Sequence, residues 1–234
     1  VALCDGRVHV GNAEFAPFKA VLPLHYYIAD RSGKVLIAEF VGGKLRLHDN
    51  PLGVLTNSPT FDWHLVNLGN YVNLSAMNAS GLRLHREKFA AIGQGSGALG
   101  LPGDWTPPSR FVRAALFSQW AALGATAADT ARIGLHVLNT FDIFDGAIQN
   151  PSPVPGGHDA PFGTQPQTAL TDITQWIIAH DRENLRTYVR TYESLAIQVV
   201  DLKKIDFTTP GLRQIELQKE FMPQEISHTA QPLR

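Results

Sequence analysis

Four kinds of residue in this sequence have the chemistry for a site. The first is Cys4, the only cysteine. A single thiol close to the amino terminus fits two descriptions. It is a small, inert, half-buried hydrophobe, or a nucleophile exposed once the residues ahead of it are removed. The second is Asn57, in NPLGVLTNSPTFD (residues 50–62), placed where a short apolar run ends and a helix is expected to start. Asparagine tolerates the left-handed conformation and caps helices, so a turn role explains it without any site; its side-chain amide is also a donor. The third is Arg110, in GLPGDWTPPSRFVR (residues 100–113), at an expected helix start. The helix dipole disfavours a cation there, which points to a carboxylate partner or to a place in a site. The fourth is Ser96 in GQGSG (residues 93–97), which imitates a nucleophile elbow but lacks its GxSxG pattern and its strand–turn–helix surroundings. The nine histidines have no metal-ligand spacing.

The elements that must position these groups follow from the pattern of side chains. Residues 24–30 (LHYYIAD) and 35–40 (VLIAEF) read as strands around an Asp-Arg-Ser-Gly turn. A Gly42-Gly43 turn leads into alternating residues 45–48, and Asn50-Pro51 turns into a further short strand at 53–56. Together these predict an antiparallel meander. A helix is expected with Ser58 as N-cap and Pro59 at its first position, burying Phe61, Leu65, Leu68 and Val72 on one face. Residues 93–109 are rich in Gly and Pro and read as a loop. Two helices are predicted next. Residues 111–123 carry a stripe of Phe111, Ala114, Ala115, Ser118 and Ala122. Residues 126–141 open with Thr126 and Asp129 at capping-box spacing. Residues 150–167 read as a long surface loop. Strands at 172–180, 185–192 and 196–202 follow, the first two joined by a turn at 181–184. Their bulky residues on both faces (Ile173 and Ile177 against Trp176 and Ile178) predict a sheet covered on both sides. Strands, then helices, then strands make the fold class α+β and layered, with the whole of 1–234 part of one domain.

The chain has 234 residues, 44% hydrophobic and 18% charged, a composition able to form a large core. Its net charge of −1 provides no basic field for nucleic acid. No apolar run is long enough to span a membrane. One cysteine rules out an intrachain disulfide. There is no dinucleotide-binding glycine fingerprint, P-loop or HExxH, and no cofactor is expected.

Long blocks of this sequence resemble the choloylglycine hydrolase family, which comprises bile salt hydrolases and penicillin V acylases. NPLGVLTNSPTFDWHLVNLGNYVNLS and GSGALGLPGDWTPPSRFVRAA resemble two of its signature blocks. LHYYIADRSGKVLIAEF, LNTFDI and TQWIIAHDRENLRTYVRTYESLAIQVVDLKKIDF are similar to its later strands. Trp63 and DWTPPSRF look most similar to its Gram-negative branch. The resemblance implies the αββα four-layer sandwich of the Ntn hydrolases. It also implies hydrolysis of a linear amide C–N bond by an amino-terminal cysteine whose own α-amine is the base. Asn57 would be the family's active-site asparagine beside the oxyanion, and Arg110 its active-site arginine; neither exchanges a proton in the working range. A small-molecule amide substrate, a homo-oligomer and a periplasmic or secreted rather than cytoplasmic location go with that resemblance. The family's nucleophilic Cys, the Arg and Asp that follow it and a further oxyanion residue lie well ahead of the segment matching LHYYIAD. Cys4 is too close to Asn57 to be that nucleophile. The expectation is therefore a C-terminal part of the domain, inactive alone, whose N-terminal portion is its natural partner. Two other readings stand beside it: a catalytically incompetent binding or scaffold protein with the same half-fold, and an acyl-homoserine lactone acylase.

Overall fold

The structure, a computed structural model, describes residues 14–15, 20–21, 24–30, 32–150, 170–224 and 226–227. Cys4 and nearly all of the loop expected at 150–167 lie outside the described residues. The chain forms two compact units, Val1–Trp120 and Ala121–Arg234.

In the first unit, β1 (Glu14–Phe15) pairs antiparallel with β2 (Ala20–Val21). The predicted meander follows as β3 (Tyr26–Ala29), β4 (Val35–Val41) and β5 (Lys44–Asp49), all antiparallel. Asp30 makes the first turn by accepting from Ser32 N at 2.8 Å, with Gly33 at φ 88°. Val41 opposes Lys44 across a two-residue turn whose Gly42 and Gly43 sit at φ 58° and 75°. Positive φ at both central residues matches the right-handed twist of the flanking strands.

The short strand expected at 53–56 is a loop. The buried Asn50 holds it: its amide donates to Val54 O at 2.8 Å, while its Oδ1 accepts from Leu52 N and Gly53 N at 3.2 and 3.0 Å. Val54 and Leu55 are apolar because they pack against the core of Ile37, Phe61 and Phe111, not because they pair with a strand.

α1 (Phe61–Asn67) begins later than predicted. Thr60, extended at ψ 158°, is the N-cap, and the buried Glu39 of β4 accepts Phe61 N at 3.0 and 3.1 Å. That carboxylate satisfies an orphan N–H of the helix from a neighbouring strand. Phe61 and His64 are buried, whereas Leu65 and Val72 of the expected face are exposed and Leu68 packs at the edge of the core. An unpredicted hairpin, β6 (Leu82–Leu84) and β7 (Glu87–Phe89), follows; its residues are all exposed, so no burial pattern marks it in the sequence.

α2 (Pro107–Trp120) starts at Pro107 and stops before Ala122. Of the expected stripe Phe111 and Ala115 are buried and Ala114 is half-buried, while Ser118 is exposed and Val112 joins the buried face. Phe111 meets Phe61 edge-on at 6.1 Å, which ties α2 to α1.

In the second unit, α3 (Ala127–Asn139) has the expected cap: Thr126 accepts from Asp129 N. β8 (Ile148–Asn150) pairs with β9 (Leu170–Asp172), and β10 (Trp176–Asp181), β11 (Arg186–Thr191) and β12 (Gln198–Asp201) form an antiparallel sheet. The strand expected at 172–180 is thus two strands. Thr174 interrupts it: its N donates to Ile143 O at 3.1 Å and its Oγ1 accepts from Ile143 N at 2.9 Å. The face of the sheet that carries Ile177 and Arg190 packs on α3, with Ile177 and Leu135 buried. On the other face Val189 and Thr191 are buried while Trp176 is 60% exposed and Ile178 38%, so the covering expected on both sides is partial within this unit. All seven pairings among the described residues are antiparallel, which agrees with α+β and not with a doubly wound fold. Among the described residues no helix is long and apolar enough to cross a membrane.

Candidate active site

Arg110 and Asn57 are neighbours in space. The site grows from the start of α2. Asp104 Oδ1 accepts from Thr106 N at 2.9 Å and Thr106 Oγ1 at 2.5 Å, and its Oδ2 accepts from Ser109 Oγ at 2.7 Å. These bonds, from Thr106 first and then Ser109, hold the Asp104 carboxyl down at a pKa of about 2. The buried Arg113, one turn on, donates to the carbonyls of Pro102 and Asp104, both at 2.7 Å, and ties the Gly- and Pro-rich loop back onto the helix. The first turn of α2 is therefore fixed before Arg110 leaves it.

Arg110 Nε donates to Trp105 O at 2.9 Å, which sets the plane of the guanidinium, and NH2 donates to Asn57 Oδ1 at 2.6 Å. Asn57 lies in the loop between the Asn50 clasp and α1. A guanidinium can only donate, so the amide oxygen faces Arg110 and Nδ2 is the end left to donate elsewhere. Asn57 itself is exposed. Partial burial lowers the pKa of Arg110, and the nearby charge of Arg113 adds to this. The group stays cationic, and among the described residues it forms no ion pair. Among the described residues its side-chain partner is thus an amide rather than a carboxylate.

Two more contacts set the backbone of this loop. Thr56 Oγ1 donates to Pro107 O at 3.0 Å, and the fully buried His64 places Nε2 2.9 Å from Asn57 O. His64 is a hydrogen-bonded core histidine, and no spacing pattern marks its link to Asn57, because its partner is a main-chain carbonyl.

Ser96 does something different from a nucleophile. Its Oγ accepts from Ala79 N at 2.8 Å, and Asn78 Oδ1 accepts from Gly95 N and Ser96 N at 2.7 and 3.2 Å. A Cβ on Gly97 would come within 2.0 Å of Met77 O, so this glycine run is a close-packed loop clasp. Among the described residues no group of three His, Cys, Asp or Glu side chains is placed to hold a metal ion.

The arrangement is an oriented amide donor backed by a fixed cation, which suits stabilisation of negative charge developing on an oxygen. Comparisons with known proteins point to one family. A family model for linear amide C–N hydrolases of the choloylglycine hydrolase family matches residues 8–214. A bile salt hydrolase/transferase from Clostridium perfringens is 35% identical over 183 residues, covering 77% of this chain and 50% of that protein. A penicillin V acylase from Pectobacterium atrosepticum is 30% identical over 196 residues, 82% of this chain and 45% of that one. The crystal structure of a mutant conjugated bile acid hydrolase from Clostridium perfringens superimposes with a TM-score of 0.71 at 31% identity, covering 87% of this chain and 57% of that one. The penicillin V acylase of Agrobacterium tumefaciens, at 22% identity and a TM-score of 0.52, shares the fold. The chain spans about half the length of the curated relatives it matches. It belongs to the choloylglycine hydrolase family of linear amide C–N hydrolases.

Proposed function

We propose that residues 1–234 carry the charge-stabilising side of an amidase site whose thiol nucleophile comes from polypeptide outside them. The observation that carries this reading is the Arg110–Asn57 bond, which joins positions 53 residues apart and turns the amide so that Nδ2 is free to donate. In the reaction a cysteine thiolate attacks the carbonyl carbon of a linear amide, and its α-amine takes the thiol proton. The carbonyl oxygen gains negative charge, and Asn57 Nδ2 donates to it. Arg110 keeps the amide in that orientation and favours the thiolate. The α-amine hands its proton to the leaving nitrogen as the C–N bond breaks, which leaves a thioester. Water then hydrolyses the thioester to a carboxylic acid and restores the thiol. Conjugated bile acids and penicillin V are the substrate classes suggested by the relatives. The front portion of the domain is the partner this chain requires, within an αββα sandwich.

The gene product that contains these residues is to be assayed against glycine-conjugated bile acids and penicillin V, beside residues 1–234 alone and a Cys4→Ala variant. The expected result is turnover in the first, none in the second, and no effect of Cys4→Ala on the first. Turnover by residues 1–234 that Cys4→Ala abolishes would make Cys4 the nucleophile. Failure of both substrates in every preparation would favour the binding or scaffold reading.

A further inference from the structure

We propose that His64 is a positioning residue for this site, fixing the main chain of Asn57 so that its amide meets the oxyanion. The inference rests on the role of Asn57 proposed above.

His64 lies in α1 with its ring fully buried. The ring stacks on Phe111 of α2, with centroids 4.5 Å apart and planes 8° from parallel, and meets Trp63 edge-on at 5.5 Å. Those contacts leave it no rotational freedom. A carbonyl oxygen can only accept, so Nε2, 2.9 Å from Asn57 O, carries the proton. Nδ1 then presents a lone pair, and it is buried with no hydrogen-bond partner among the described residues. A buried acceptor without a donor destabilises the fold. Leucine or phenylalanine would fill the same space without that loss, so packing alone does not account for a histidine here. What the imidazole adds is a single rigid donor, and it is spent on the carbonyl of Asn57.

The geometry shows why that carbonyl matters. Arg110 holds Asn57 only by the tip of its side chain. Thr56, one residue earlier, is anchored to α2 through Pro107 O, and its hydroxyl lies 3.5 Å from His64 Nε2. With the preceding residue, its own carbonyl and the side-chain tip all held, the direction of Asn57 Nδ2 is determined. Without the His64 donor the peptide after Asn57 is free to rotate. The amide then remains bonded to Arg110 but no longer aims at one point. Donor geometry governs stabilisation of an oxyanion, so the loss falls on the chemical step and not on substrate binding.

The test is steady-state kinetics on the active enzyme with His64→Gln, His64→Leu and His64→Phe, beside Asn57→Ala, with melting curves for all four. His64→Leu is expected to lower kcat by about ten- to a hundredfold with KM within about twofold, while melting no lower than the parent. His64→Phe keeps the stack on Phe111, removes the donor, and carries the same expectation. His64→Gln, whose side-chain amide can donate to the same carbonyl, should recover most of kcat. Normal kcat in the two apolar variants, with Asn57→Ala impaired, overturns the positioning role and leaves the oxyanion reading intact. An unimpaired Asn57→Ala overturns the oxyanion reading itself. Collapse of both apolar variants with a folded His64→Gln shows that the donor serves the fold, which also overturns the proposal.

Discussion

Each unit holds a conspicuous arginine, and the two are held in opposite ways. Arg190 of β11 is 6% exposed and donates to the Asp142 carboxylate and to Asn139 Oδ1 at 3.0 Å. Its charge is neutralised where it stands. Arg110 of α2 is partly buried and is held by two neutral oxygens, Trp105 O and Asn57 Oδ1. Desolvation and the charge of Arg113 both act against its cationic form, and among the described residues no ion pair offsets them. A cation that is oriented but not neutralised is poor fold-building and good chemistry. The neutralised one is the reverse. The first unit therefore leaves its charge held by neutral oxygens, and the second closes its charge within the sheet and the end of α3.

The sharpest way to break this comparison is at the tip of the Arg110 contact. Asn57→Ala removes the donor proposed for the oxyanion. It should lower kcat by about a hundred- to a thousandfold, or about 2.7–4 kcal/mol of barrier, with KM little changed. Because Asn57 is exposed and, among the described residues, its side chain bonds only Arg110, melting should stay close to that of the parent. Steady-state kinetics and thermal melts on the same preparation decide. A normal kcat with a lowered melting temperature would make the pair a fold contact like the one at Arg190.

Arg110→Ala should have the next largest effect, about 1.5–3 kcal/mol of barrier, the worth of hydrogen bonds to a charged group. It should also change the pH dependence. A cation near a thiol favours thiolate, so removing it raises the thiol pKa and moves the acidic limb of the pH–rate profile upward. An unmoved limb would mean that Arg110 acts only through Asn57. Arg190→Met should do neither. It should cost about 1–3 kcal/mol in denaturant melts, since it leaves the half-exposed Asp142 without that cation, and should leave turnover per folded molecule unchanged.

How much of this could be read in the sequence depended on whether the cause was local. The Thr126–Asp129 cap and the Gly42-Gly43 turn are set by residues a few positions apart, and both form as the sequence predicts. Asn57 and Arg110 stand out through the two blocks that hold them, but their bond spans 53 residues and has no sequence signature. Helix-dipole reasoning leaves Arg110 either a carboxylate partner or a place in a site, and among the described residues the fold brings it an amide. Val54 and Leu55 looked like a strand because apolar residues packing on a core from a clasped loop carry the same pattern as a buried strand. Trp176 and Ile178 looked buried for a related reason: hydrophobicity reports a surface that avoids water without naming what covers it. His64 left no trace at all, since its partner is a backbone atom.

The smallest expected effect asks whether the seat of Arg110 belongs to the site or to the fold. Asp104 closes the first turn of α2 through Thr106 and Ser109, and those bonds depress its pKa from an ordinary 3.8 to about 2. A carboxyl whose folded pKa lies below its unfolded value contributes stability that is fully present above the unfolded pKa. That contribution is lost as the pH falls through the folded one. Asp104 is largely open to solvent, so the contribution is small, at most about 1 kcal/mol. Asp104→Asn should therefore lower stability slightly at pH 6, and the gap from the parent should narrow between pH 4 and pH 2, as the parent's own carboxyl protonates; denaturant melts across that range would show it. The bonds of Arg110 to Trp105 O and Asn57 Oδ1 do not pass through the Asp104 side chain, so kcat should stay within about threefold of the parent. A much larger loss of kcat would mean that the turn and the site arginine move together. The line drawn between a site arginine and a fold arginine would then have to include the whole start of α2 on the side of the site.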